Sequence, residues 1–163
     1  MKVFGVVGWK NTGKTGLMER LVAEFCERGF SVSTIKHAHH SFDVDQPGRD
    51  SYRHRTAGAS EVVLASSERV AIMQELRGAP EPDLQSLIAR VSPVDLVLIE
   101  GFKSDLHAKI ETHRQAAAKP LLFDQIPNVR AIATDTKLDV SHPQFDLDDT
   151  RAIADFIAGE VGL

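Results

Sequence analysis

Residues 8–15, Gly-Trp-Lys-Asn-Thr-Gly-Lys-Thr, constrain this chain more than any other stretch. They fit the pattern G-x-x-x-x-G-K-[ST] without exception. Before them lies an apolar, β-branched run, residues 3–7, of the kind found in a strand buried on both faces. After them Leu17, Leu21 and Phe25 recur at helical spacing beside Met18 and Val22, with Gly29 placed to end the helix. Chance would produce the eight-residue pattern in on the order of one in several hundred chains of this length, and its setting between strand and helix makes chance a poor explanation.

The chemistry of the pattern is specific. Gly8 and Gly13 allow backbone angles that let successive N–H groups turn inward around an anion. The helix that follows presents the positive end of its dipole to the same anion. Lys14 adds a mobile positive charge for β- and γ-phosphates, and the Thr15 hydroxyl suits magnesium. We therefore expect residues Gly8, Lys10, Asn11, Thr12, Gly13, Lys14, Thr15 and Gly16 to bind a purine nucleoside triphosphate with Mg2+.

Residues 30–36 read as the next strand, which makes a βαβ unit and implies parallel pairing. Downstream, residues 61–66 and 69–75 read as an antiparallel hairpin, and 84–91 as a helix. Residues 95–99, Lys109–His113 and Val129–Thr134 read as further strands, and 148–161 as a closing helix. The expected fold is α/β, a P-loop NTPase-like three-layer α/β/α arrangement with a mostly parallel sheet and an antiparallel hairpin extension. All 163 residues are expected to form one domain.

Composition bounds the partners. A net charge of −4 argues against broad nucleic-acid binding. Neither the N-terminus nor any later run is long and apolar enough to span a membrane, so a cytoplasmic location is expected. Cys26, the single cysteine, reads as a small core residue on the buried side of the first helix.

A phosphate site of this kind needs an acidic residue at the end of a neighbouring strand. Asp95-Leu96-Val97-Leu98-Ile99-Glu100-Gly101 supplies Glu100, which could hold magnesium through water or orient the attacking water. The long polar segment 37–58 follows a strand at the same edge of the sheet. Its His37, His39 and His40 match no standard metal-ligand spacing, whereas Asp45 and Asp50 suit magnesium or the ordering of the loop around it. Lys36, His37 and Arg53 are candidates for positive charge near phosphates. A helix over 50–57 is expected, capped by Asp50 or Ser51.

Taken together, residues 8–15, the run Asp45-Gln46-Pro47-Gly48-Arg49-Asp50-Ser51, Leu98-Ile99-Glu100-Gly101-Phe102-Lys103, Lys109-Ile110-Glu111 and Ala131-Ile132-Ala133-Thr134-Asp135 resemble the MobB family of molybdopterin-guanine dinucleotide biosynthesis adapters. The likeness runs over essentially the whole chain. It implies a GTP-binding homodimer with weak GTPase activity that assists the molybdopterin guanylyltransferase, the enzyme attaching GMP to molybdopterin. It also places Thr15, Asp45, Asp50 and Glu100 on the magnesium side, with Glu100 catalytic. Gly16 departs from the threonine common in the family and weakens the helix start by about 1 kcal/mol relative to Ala. Asp135 either reads the guanine or caps a strand end, since Thr134-Asp135-Thr136-Lys137 does not reproduce the usual base-reading element. Two other readings stay open: a small-molecule or nucleotide kinase with Arg49, Arg53 and Arg55 as a lid, and a metallochaperone GTPase using the histidines. The hairpin has enough apolar content to extend a sheet across subunits.

Overall fold

The computed structural model describes residues 1–38 and 42–163. Its elements run β1 (Lys2–Gly8), α1 (Lys14–Glu27), β2 (Val32–Lys36), α2 (Asp50–Thr56), β3 (Glu61–Ala65), β4 (Val70–Gln74), α3 (Leu84–Ile88), β5 (Leu96–Glu100), β6 (Lys109–His113), β7 (Val129–Thr134), β8 (Gln144–Asp146) and α4 (Thr150–Val161). They fall into two compact units, Met1–His37 with Leu84–Leu163, and Ala38–Asp83.

The first unit is built on a six-stranded sheet ordered β2-β5-β1-β6-β7-β8, with every neighbouring pair parallel. Alternation along the strands divides the core between two faces. Phe4, Val6, Leu96 and Leu98 meet Leu17, Leu21 and Phe25 of α1 and Ile153 and Ile157 of α4. Val97, Ile99 and Ile35 turn the other way, toward Leu84 of α3 and Phe102. All five residues of β5 are buried, which is why that strand reads as an unbroken apolar run.

Register sets where the chemistry sits. Lys36 is opposite Glu100, Gly8 opposite Thr112, His113 opposite Thr134, and Thr134 opposite Asp146. One edge of the sheet, its C-terminal edge, therefore carries the ends of all six strands. Helix α1 starts there at Gly13 and stops where expected. Gly29 takes φ 89°, and the amides of Gly29 and Phe30 return to the carbonyls of Cys26 and Phe25. The Phe25 and Phe30 rings close this ending edge-on at 6.2 Å.

Several boundaries differ from the sequence reading. Cys26 is exposed, not core. Along Met18, Val22 and Cys26 the helix surface passes from buried through half-buried to exposed, so that line of residues rises out of the core while Leu17, Leu21 and Phe25 stay in it. Helix α2 is preceded by Arg49 in extended conformation with no side-chain cap, so neither Asp50 nor Ser51 caps it. Asp50 is instead the first helical residue, where its charge still favours the helix start. Helix α4 starts at Thr150, two residues later than expected, because Asp149 caps it by accepting from the Ala152 amide. Strand β8 was not anticipated at all.

The second unit holds α2 and a separate two-stranded antiparallel sheet of β3 and β4. Arg55 ties it together. Its guanidinium meets Asp43, Asp45 at 2.6 Å and Glu75 at 2.9 Å, and lies over the Tyr52 ring. Val63 pairs with Ile72, and Ala65 with Val70, on one face of the hairpin. That face is open: Val63 is 56% exposed, Ile72 63% and Val70 64%.

Candidate functional site

The loop between β1 and α1 is held from below by threonines. Thr12 Oγ1 donates to the Trp9 carbonyl at 2.8 Å and lies 2.8 Å from Thr112 Oγ1, which itself reaches the Val7 carbonyl at 3.2 Å. Two hydroxyl protons serve three contacts, and both side chains are nearly fully buried. Gly8 is fixed by the same group, since a Cβ there would strike Thr112 Oγ1 and approach the Thr112 carbonyl oxygen to 2.7 Å. Gly13, at φ 94°, caps α1 in left-handed conformation, which only glycine adopts without strain. Trp9, from the middle of the loop, donates to the Pro120 carbonyl at 2.7 Å and carries the Lys103 ammonium 4.6 Å over its ring.

On one side of this loop two lysines, Lys14 and Lys36, meet one carboxylate, and a third, Lys103, lies over Trp9 close enough to act on Lys14. Glu100, 8% exposed, lies 3.1 Å from Lys36 Nζ and accepts from Thr15 Oγ1 at 3.3 Å and 3.4 Å. Lys14 Nζ donates to the Trp9 carbonyl at 2.5 Å. Burial lowers the Lys14 pKa, Glu100 opposes that, and Lys103 and Lys36 push the same way as burial. A concentration of ammonium groups of this kind favours an anion of high charge. Thr15 and Glu100 together supply a hydroxyl and a carboxylate, hard oxygen donors of the type Mg2+ takes alongside water and phosphate. Glu100 is followed by Gly101, where a Cβ would come 2.9 Å from His37 Cβ, and by Phe102, on which the His37 ring stacks at 4.7 Å.

On the other side of the loop, a cavity of about 350 Å³ opens at the ends of β7 and β8, lined by Thr134, Asp135, Thr136, Lys137, Gln144, Phe145 and Asp146. Asp135 is exposed, and its Oδ1 accepts from the Gln115 amide at 2.9 Å. Gln144 uses both ends of its amide on Leu138, closing that wall.

Gly8, Thr12, Gly13, Lys14, Thr15 and Glu100 are thus brought together, with Lys10 and Asn11 exposed at the loop's crest and Gly16 in the first turn of α1. Asn11 takes a positive φ of 67° there. Asp45 and Asp50 belong to the second unit, Asp45 paired with Arg55 and Asp50 4.0 Å from Arg53. His39 and His40 lie outside the described residues. Among the described residues, no group of three or more His, Cys, Asp or Glu side chains is arranged to hold a metal ion.

Three residues at the site were given no role by the sequence: Thr112 beneath the loop, Arg114, and Lys103 over Trp9, which stood only as the last residue of the Glu100-Gly101-Phe102-Lys103 run. The guanidinium of Arg114 packs over Gly13, with Nε 3.3 Å from where a Cβ would stand. All three become visible only when β6 is placed beside β1 and β5 on its other side.

Comparison with known proteins decides the family. The family model for Molybdopterin guanine dinucleotide synthesis protein B matches residues 3–135. The chain belongs to the MobB family. An Escherichia coli (strain K12) protein named molybdopterin-guanine dinucleotide biosynthesis adapter protein is 42% identical over 154 residues, covering 91% of this chain and 87% of its own length. A Haemophilus influenzae protein of the same name is 42% identical over 159 residues, covering 95% and 86%. Among solved structures, a MobB protein homolog from Bacillus stearothermophilus superposes with a TM-score of 0.74 at 27% identity, over 99% of each chain. The likeness to solved MobB structures agrees with the mostly parallel α/β fold. No helix among the described residues is long and apolar enough to cross a membrane.

Proposed function

We propose that this chain is an adapter in guanine dinucleotide cofactor assembly. It binds GTP with Mg2+ through Gly8–Gly16 and Glu100, hydrolyses it slowly, and serves, as a cytoplasmic homodimer, the enzyme that attaches GMP to molybdopterin. One observation carries the nucleotide reading. The Gly8–Gly13 turn is locked by buried threonines at the head of α1, with Lys14 and Lys36 beside Glu100 and Lys103 over the loop's Trp9. A polyphosphate supplies the negative charge that this cluster lacks, and magnesium supplies a bridge between Thr15, Glu100 and the phosphates. The names of the 42% identical relatives support the pathway.

The nucleoside goes to the cavity beside Asp135. Its free carboxylate oxygen is suited to the N1–H and N2–H donors of guanine, and adenine offers no such pair. The dimer forms through the hairpin, whose Val63, Ile72 and Val70 present an apolar face suited to a second copy of itself. Turnover is slow because a single buried carboxylate already engaged by Thr15 and Lys36 is a modest water-orienting group.

The test is a calorimetric titration with GTP, ATP and GMP in Mg2+, followed by single-turnover hydrolysis of wild type and Glu100→Gln. GTP is expected to bind at least about 10-fold tighter than ATP, a difference of one hydrogen-bonded base edge. Glu100→Gln is expected to slow hydrolysis about 10- to 100-fold, with binding changed less than the rate. Equal affinity for the two bases would remove the Asp135 assignment. Phosphoryl transfer to an added acceptor, in place of release to water, would make the chain a kinase.

A further inference from the structure

Resting on the nucleotide site proposed for residues 8–16, we propose that Arg114 binds the nucleotide at its α-phosphate and nucleoside end, joining the phosphate cradle to the base cavity. Its position makes the case. Arg114 directly follows β6, the strand that pairs with β1, so its backbone leaves the sheet edge next to the loop. From there its guanidinium reaches Gly13, with Nε 3.3 Å and one terminal nitrogen 3.6 Å from the point a Cβ would occupy. Leu147 Cδ2, one residue beyond the cavity wall at Asp146, stands 3.1 Å from the same point. The next residue after Arg114 ties the other end, since the Gln115 amide donates to Asp135 in the cavity. Arg114 is therefore flanked by the last glycine of the loop on one side and the nucleoside cavity on the other. Lys14 and Lys36 lie on the Glu100 side, where the outer phosphates belong.

The charge that Arg114 offers is needed where it lies. Gly16 has no side chain to turn toward an α-phosphate, and Leu17 after it is fully buried. The first turn of α1 therefore gives that phosphate backbone amides alone. Arg20 has Nη1 3.7 Å from where a Gly16 Cβ would stand, but is already used by Thr150 Oγ1, the Leu147 carbonyl and Asp148. Arg114 is exposed, and no carboxylate pairs with it among the described residues. A planar guanidinium can bond a phosphate oxygen through one edge while lying against the base or ribose.

The experiment compares wild type, Arg114→Ala and Arg114→Lys by calorimetric titration with Mg·GDP and with Mg·pyrophosphate, after circular dichroism has established that each variant is folded. GDP has the α-phosphate and nucleoside; pyrophosphate fills the cradle without a nucleoside. Arg114→Ala is expected to weaken GDP about 10-fold and pyrophosphate less than about 2-fold, with Arg114→Lys recovering part of the GDP affinity through its charge. Unchanged GDP binding in Arg114→Ala would overturn the assignment. An equal loss for both ligands would also overturn it, because Arg114 would then act only as diffuse charge over the loop. A wild-type chain that binds neither ligand would remove the nucleotide site itself, and Arg114 with it.

Discussion

In the unit built on the parallel sheet, polar side chains are buried and find their partners in main-chain and hydroxyl groups of the same unit. Thr12, Thr112 and Lys109 are nearly or fully buried, and Lys109 rests its ammonium on the carbonyls of Asp105 and Pro127 at 2.6 Å and 2.8 Å. Glu111, whose pKa burial raises, accepts from the Leu122 and Phe123 amides beside Pro120, the partner of Trp9. In Ala38–Asp83 the arrangement is reversed. Ion pairs around Arg55 hold the unit, and its Val63, Val70 and Ile72 face outward. The difference separates two tasks. The first region is pre-arranged, so that a ligand meets groups that need little reordering. The second presents apolar surface, the face on which the proposed dimer would close.

The sharpest break of that contrast is at the hairpin. Placing carboxylates on the open face, with Val63→Asp and Ile72→Asp together, is expected to weaken self-association about 1000-fold or more, as buried unpaired charges do at an apolar interface. Sedimentation at micromolar concentration should then find monomer, with nucleotide affinity per chain unchanged. A dimer that survives both changes would place the interface elsewhere.

A matched pair of glycine substitutions compares the two regions directly. Gly58 takes φ 117° with nothing near its Cβ position, so Gly58→Ala carries backbone strain alone, about 1 kcal/mol. Gly8→Ala adds a collision with Thr112 and Thr12, and is expected to cost about 3 kcal/mol in urea unfolding. Equal costs would mean that the loop end relaxes as readily as the insert.

The smallest effect concerns an exception within the first region. Both ring nitrogens of His107 are buried without a hydrogen-bond partner. Burial, with the Lys109 charge adding to it, lowers its pKa to about 4 from 6.5. Between those values the unfolded chain carries the extra proton and the folded chain does not, so stability falls as pH drops from 6.5 to 4 and levels off below. Replacing His107 with Leu should flatten that part of the curve by about 2 kcal/mol relative to wild type, once the group's partial exposure is allowed for. Parallel curves for the two proteins would show that His107 is solvated in both states.

How much of this was legible in the sequence follows from how local each feature is. The β1–α1 loop, Glu100 at the end of β5, and the strands Lys109–His113 and Val129–Thr134 could be read because each lies in a contiguous run whose composition fixes its place in the fold. Strand β8 could not, since Gln144-Phe145-Asp146 offers one apolar residue at a sheet edge and no periodicity. Cys26 read as core because it neighbours Phe25, yet it lies on the Met18–Val22 line of the helix surface, which reaches solvent in the last turn while Phe25 stays buried. Arg114 and Thr112 are ordinary residues in sequence, and Lys103 closes a family motif without showing what it touches. They reach the loop through parallel pairing of β6 and β5 with β1, a relation between positions about 100 residues apart.

The central claim is that backbone amides of residues 8–16 hold a polyphosphate closed by the Lys14 ammonium. Calorimetric titration of Mg·GTPγS into wild type and Lys14→Ala tests it most directly. A saturable, one-per-chain isotherm for wild type and a loss of at least about 100-fold in the variant, with both proteins melting at similar temperatures, is the expected result. Matching isotherms for the two folded proteins would contradict it.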